Sequence, residues 1–252
     1  NMMVKNKLNF LGLVIALMLM LGACSTQRLA KIEPTYTVVN ADAAETDPAV
    51  EAVLVKYREQ LSAKMDIIVG HTDEPMSKGR PESKLGNLIS DVMLDAAIEQ
   101  SKLDVNFAIQ NLGGIRIPTL GAGDIRKGLM YEIMPFDNEI VIVRVKGDKV
   151  LSLMKRIAEQ GGVPVSRGIQ MVIEKQKMAS LLVNGEAVDP NKDYLIAVND
   201  FMATGGDGFE ELTAGDHILT GILVRDALTN HFLMMLAKGQ SITARIEKRI
   251  VD

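Results

Sequence analysis

The chain has 252 residues, a formal net charge of −4, 47% hydrophobic residues and one cysteine. That length suits a single domain with a sizeable core, and a lone thiol excludes an internal disulfide. A mildly acidic chain without a basic run is a poor binder of nucleic-acid polymers, which need clustered Lys and Arg to neutralise phosphates.

In chain order, Lys5 and Lys7 precede an apolar run from Phe10 to Leu21, followed by Gly22-Ala23-Cys24. The run is shorter than the ~20 residues that span a bilayer. Its flanks are those of a secretory leader ending at a lipoprotein cleavage site. Residues 1–23 are therefore expected to be a signal peptide, and a diacylated Cys24 the mature N-terminus, holding the protein to a membrane. Ser25 follows the cysteine, where an aspartate would mark retention in the inner membrane. By resemblance to bacterial lipoproteins, this implies the cell envelope and the outer membrane, facing the periplasm. Losing Lys5 and Lys7 leaves the mature chain two charges more negative. Residues 24–47 are polar, with Pro34 and an Ala/Asp/Glu cluster but no sustained apolar period, and read as a lipid-anchored tether. Residues 48–252 are left as the folded domain.

Within it, Pro48 to Met65 carries Val50, Val53, Leu54, Tyr57 and Leu61 near helical spacing, with Asp47 as N-cap and Pro48 in the first turn. Ile67 to Val69 predicts a short strand. Leu85 to Ile98 predicts a helix with Leu88, Ile89, Val92, Met93 and Ala96 on one face. A strand at Val105 to Ile109 runs into a Gly113-Gly114 turn. Ile140 to Val145 alternates like a strand, and Val150 to Ala158 has a helical period. Asn184-Gly185 marks a hairpin. Tyr194 to Val198 reads as a buried strand, Ile222 to Leu236 as a long helix and Ile242 to Ile250 as a last strand. Interleaved helices, strands and hairpins predict a mixed α/β fold. Fifteen methionines and no tryptophan read as core and leader composition rather than a cofactor box.

Four loops carry the chemistry: Glu82-Ser83-Lys84-Leu85-Gly86-Asn87-Leu88, Asn111-Leu112-Gly113-Gly114-Ile115-Arg116, Pro135-Phe136-Asp137-Asn138, and Asn199-Asp200-Phe201 through Gly205-Gly206-Asp207-Gly208-Phe209. The last sets a ring and a carboxylate on either side of a glycine pair, as one wall of a pocket for a flat, hydroxylated small molecule. In this order the loops resemble the C-terminal, substrate-binding domain of the 5'-nucleotidases, over roughly Ile67 to Val251. The resemblance implies a layered α/β/β/α sandwich with helices outside two sheets. It also implies a base between Phe136 and Phe201, Asn111 at the base edge, Arg116 and Asp207 on the ribose hydroxyls, and Gly206 in the loop that carries Asp207. Core packing for the two phenylalanines, and an Arg116–Asp207 pair bracing two loops, are the structural alternatives. Arg80 stands one place before the position where many members carry an arginine, because Pro81 intervenes. Lys84 also departs from the family pattern, so the first loop is expected to grip the sugar or α-phosphate differently; Leu112 replaces a usual small residue and is expected to alter the local turn but not Asn111 or Arg116.

The resemblance implies hydrolysis by two metal ions held in an N-terminal metallophosphoesterase domain, for which no room is expected before residue 48. His71, His217 and His231 are dispersed, and no phosphate-binding Gly-x-x-x-x-Gly-Lys loop or nucleophile elbow is present. The calcium-loop echo at Asp189-Pro190-Asn191-Lys192-Asp193 lacks the required glycine, having Tyr194 in its place. The reading is thus a nucleotide- or nucleoside-binding domain in nucleotide catabolism, with no cofactor of its own. A separately encoded metallophosphoesterase would bring the divalent metals. A non-catalytic nucleoside-binding lipoprotein is the alternative.

Overall fold

A computed structural model describes residues 47–252. The expected signal peptide, the Cys24 anchor and the tether up to residue 46 lie outside the described residues. The chain divides into two units, of which the larger, residues 52–252, is wholly described; of the other, only residues 47–51 are described, and from Pro48 they form the start of helix α1 (Pro48–Met65). The backbone N–H of Ala49 donates to Asp47 Oδ1 at 2.8 Å, so Asp47 caps this helix.

In the larger unit, a four-stranded sheet has the order β11 (Asp216–Leu223), β6 (Glu139–Lys146), β10 (Asp193–Asn199), β3 (Phe107–Ala108). β6 runs antiparallel to both neighbours, and β3 is parallel to β10. Both faces of β6 are buried, and the period of two shows it: Ile140 and Ile142 enter one core, Val141, Val143 and Val145 the other. The first core is completed by helices α2 (Lys84–Ser101) and α6 (Val224–Ala237). The second is completed by helix α4 (Gly147–Glu159) and a sheet of order β12 (Ile250–Val251), β7 (Ile169–Glu174), β8 (Lys177–Val183), β9 (Glu186–Ala187). Two small pairs, β1 (Ile68–Thr72) with β5 (Gly123–Arg126) and β2 (Met76–Ser77) with β4 (Thr119–Leu120), and the short helices α3 (Lys127–Ile133) and α5 (Asp200–Ala203), finish a mixed, layered α/β fold. Among the described residues no helix is long and apolar enough to cross a membrane.

The Asn184-Gly185 hairpin forms as expected, both residues having positive φ, 52° and 83°. Helix α1 also forms as expected, with Val53, Tyr57 and Leu61 of its stripe all more than half exposed. Two expectations need correction. Ile222 and Leu223 end strand β11, and α6 starts only at Val224, because Leu223 pairs with Glu139 across the sheet. Of the expected last strand, Ile242 to Ile250, only Ile250 pairs; with Val251, which lies beyond it, it runs parallel to β7. Residues 241–248 run irregularly, with Glu82 Oε1 and Oε2 accepting from the backbone N–H groups of Glu247 and Arg249.

Candidate functional site

The topology brings three loops and a helix start to one end of the central sheet. β3 and β10 are parallel, so Gln110 and Asn111 leave the sheet where Asn199 does. Because Asn199 pairs with Ile140 at the beginning of antiparallel β6, the Pro135–Asn138 loop lies there too. β11 ends opposite Glu139 and delivers the first turn of α6 to the same place.

A cavity of about 390 Å³ opens at this end. It is lined by Asn111, Arg116, Phe136, Phe201 and Asp207 of the expected set, and by Gln110, Met134, Asn138, Asn199 and Val224, to which the motifs assign no role. Phe136 and Phe201 are 50% and 46% exposed, whereas Phe107, Phe209 and Phe232 are fully buried. The two loop rings are therefore not core residues. Gly206 acts by having no side chain. A Cβ there would meet the Phe201 ring and the Phe201 carbonyl oxygen at 2.5 Å. Asp207 sits between Gly205 and Gly208 with φ of 55°, a left-handed backbone that L-residues seldom adopt and that tends to be kept where a side chain must be aimed.

Below the rings lies a buried chain of amides. The backbone N–H of Met202 donates to Asn199 Oδ1 at 2.8 Å, capping α5. Asn199 Nδ2 then donates to Gln110 Oε1 at 3.0 Å and Asn111 Oδ1 at 2.9 Å. Gln110 Nε2 adds a second bond to Asn111 Oδ1, and Asn111 Nδ2 donates to Asp207 Oδ2 at 2.7 Å. Asn111 thus keeps one N–H for anything in the cavity. The crowding leaves no space at Gly114, where a Cβ would come within 2.4 Å of Gln110 Nε2. Arg116 Nη1 donates to the Gly113 carbonyl at 3.2 Å, and its guanidinium lies 5.6 Å from the centroid of the Phe136 ring. Asp207 takes its bond from Asn111 and Arg116 gives its own to Gly113, and among the described residues the loop-bracing Arg116–Asp207 ion pair is not formed.

Two contacts set the aromatic loops. Asn138 Nδ2 donates to Asp200 Oδ1 at 2.7 Å and so ties the Phe136 loop to the Phe201 loop. Asn138 also gives its carbonyl to the Val224 N–H at 2.9 Å. Of the expected site residues, Gly206 and Arg80 do not line the cavity: Gly206 stays behind the Phe201 ring, and Arg80 is not brought in. It is exposed and does not line the cavity, because Pro81 packs against Gly162 beyond the end of α4. Asn199 and Asn138 stood inside quoted motifs. The signal for Asn199 was a polar side chain closing the buried run Tyr194–Val198, where it has to be satisfied.

Among the described residues no group of three or more His, Cys, Asp or Glu could hold a metal ion. His71 Nδ1 bonds Asp124 at 2.8 Å, which raises its pKa with help from Asp73. The ring of His217 bonds the Leu212 carbonyl, and burial lowers the pKa of His231. These residues do not fit a two-metal centre.

A model of the "5'-nucleotidase, C-terminal domain" matches residues 68–214, more than half of the chain. The chain belongs to this family. It is 27% identical over 187 residues to Protein UshA of Escherichia coli strain K12, covering 70% of this chain and 33% of that protein. It is 25% identical over 209 residues to a 5'-nucleotidase of Vibrio cholerae, covering 78% and 36%. This chain therefore spans about a third of the length of the curated relatives it matches. A 5'-nucleotidase precursor from Thermus thermophilus superposes with a TM-score of 0.68 at 27% identity, over 83% of this chain and 44% of the other.

Proposed function

We propose that this 5'-nucleotidase C-terminal domain binds the nucleoside part of a nucleotide, with the base between Phe136 and Phe201 and the ribose hydroxyls held by Arg116 and Asp207. One observation carries the reading: two half-exposed phenylalanines line a single cavity with a charged donor and a charged acceptor. The volume is that of a small-molecule pocket, and stacking on two rings is a recognition that tolerates any base. Asp207→Asn should weaken adenosine binding by about 1.5–3 kcal/mol, the range for a hydrogen bond to a charged group. Free adenine should be affected much less, and calorimetric titration of both ligands checks this. Equal losses for the two would remove the sugar contact from the proposal.

The phosphoryl chemistry is assigned to a metallophosphoesterase, which brings two metal ions to the nucleotide that this domain presents. Support comes from the donor set, which offers no two-metal clamp among the described residues. The chain alone should show no phosphomonoesterase activity on AMP with Mn²⁺, Zn²⁺ or Mg²⁺, and should gain it when a metallophosphoesterase is added. AMP hydrolysis by homogeneous protein, unaffected by replacing His71, His217 and His231, would overturn this division of labour. Tight adenosine binding that no metallophosphoesterase converts into hydrolysis would favour the non-catalytic capture protein instead.

The lipoprotein reading is part of the same proposal. It rests on the Lys5/Lys7 flank, the Phe10–Leu21 run and the solitary thiol of Cys24. Cys24→Ser should leave protein that is unprocessed or released, as read by membrane fractionation and intact mass. An unchanged mature mass with unchanged membrane association would exclude the anchor.

A further inference from the structure

Arg225 lies in the first turn of α6 and is 7% exposed. This is an unfavourable place for a cation, since burial removes hydration and the helix N-terminus is the positive end of the dipole. Its Nε is also buried without a hydrogen-bond partner. Every group that compensates it belongs to one short segment. Nη1 donates to the carbonyls of Met134 at 3.2 Å and Phe136 at 3.3 Å, Nη2 bonds Asp137 Oδ1, and the guanidinium lies 4.3 Å from the centroid of the Tyr131 ring. Asp137 is 78% and Arg225 8% exposed in the side chain, so the pair goes to offset the desolvation of the buried guanidinium rather than to add net stability. The fork holds the backbone on both sides of Pro135 and leaves the Phe136 ring standing in the cavity.

We propose that Arg225 is a positioning residue for the base, holding the backbone that carries Phe136 so that its ring lines the cavity with Phe201. The proposal rests on the nucleoside reading above. Arginine suits the task because its planar fork reaches two carbonyls and a carboxylate while its face stacks on a ring, which a lysine cannot reproduce.

The test is a double-mutant cycle in the full chain, read by calorimetric titration with adenosine and with ribose 5-phosphate, which lacks a base. Arg225→Met should weaken adenosine about tenfold, a partial loss of one stacking face, and leave ribose 5-phosphate within twofold. Arg225→Lys should recover part of the loss. In a Phe136→Ala background, Arg225→Met should cost less than a further twofold, because the ring it positions is already gone. Additive losses, or equal losses for the two ligands, would overturn the positioning role. If Arg225→Met does not fold, Tyr131→Leu removes the stacking partner from the half-exposed side, and the same cycle with Phe136→Ala decides the matter. Failure of the unmodified chain to bind adenosine would instead refute the nucleoside reading, and this proposal with it.

Discussion

Phe136→Ala and Phe201→Ala should each weaken adenosine binding by about 1–3 kcal/mol, the range for losing one aromatic face under a base, while the fold stays intact. Truncating a buried phenylalanine typically costs about 3–5 kcal/mol of stability, because a cavity is left behind. Rings that are half exposed leave no such cavity. Thermal melts and titrations on the same samples separate the cases. Alanine variants that melt much earlier, with unchanged adenosine affinity in the folded fraction, would mean that both rings serve packing alone. Phe209→Ala is the control, since Phe209 is 1% exposed and should melt much earlier.

Asn199→Ala should show the opposite pattern, with a large loss of stability accompanied by a loss of binding. Asn199 is 2% exposed, and its removal leaves Gln110 Oε1, one lone pair of Asn111 and the Met202 N–H without their partner. An unpaired buried acceptor costs about 1–3 kcal/mol and a lost helix cap about 1 kcal/mol. A total of about 3 kcal/mol is expected, which for a domain of this size lowers Tm by roughly 6–12 °C. Asn199→Asp divides the two contributions, because it keeps the cap acceptor and has no N–H to give. If the donors matter, it should be no more stable than the alanine variant. A melting temperature within about two degrees of the unmodified chain for both variants would show that the amides rearrange at little cost.

The legible parts of the fold were those where one period dominates. Helix α2, strand β6, helix α4 and strand β10 each carry a long, unmixed pattern, and each forms close to its expected bounds. Strand β7 alternates buried and exposed residues, yet lies too near the turn at Lys175 and Gln176 to stand out. At Ile222 the apolar run crosses a strand–helix boundary without a break, so the sequence alone places the helix start too early. The stripe on α1 shows the converse: a helical period is satisfied by the helix itself, whether or not anything covers its apolar face. For the site, the motifs gave the two rings, Asn111, Arg116 and Asp207, but not what holds them. Arg225 was invisible because arginine in a first helical turn ordinarily faces water, and its acceptors lie some ninety residues earlier in the chain.

The amide chain under the cavity also has a direction. It starts on a backbone N–H, at Met202, that can only give, and ends on a carboxylate, at Asp207, that when ionised can only take. Turning over any one link would set oxygen against oxygen or N–H against N–H, so the carboxamides of Asn199, Gln110 and Asn111 are locked in one sense together. The floor of the cavity is therefore a rectifier. Whatever meets Asn111 there is offered a proton and never a lone pair.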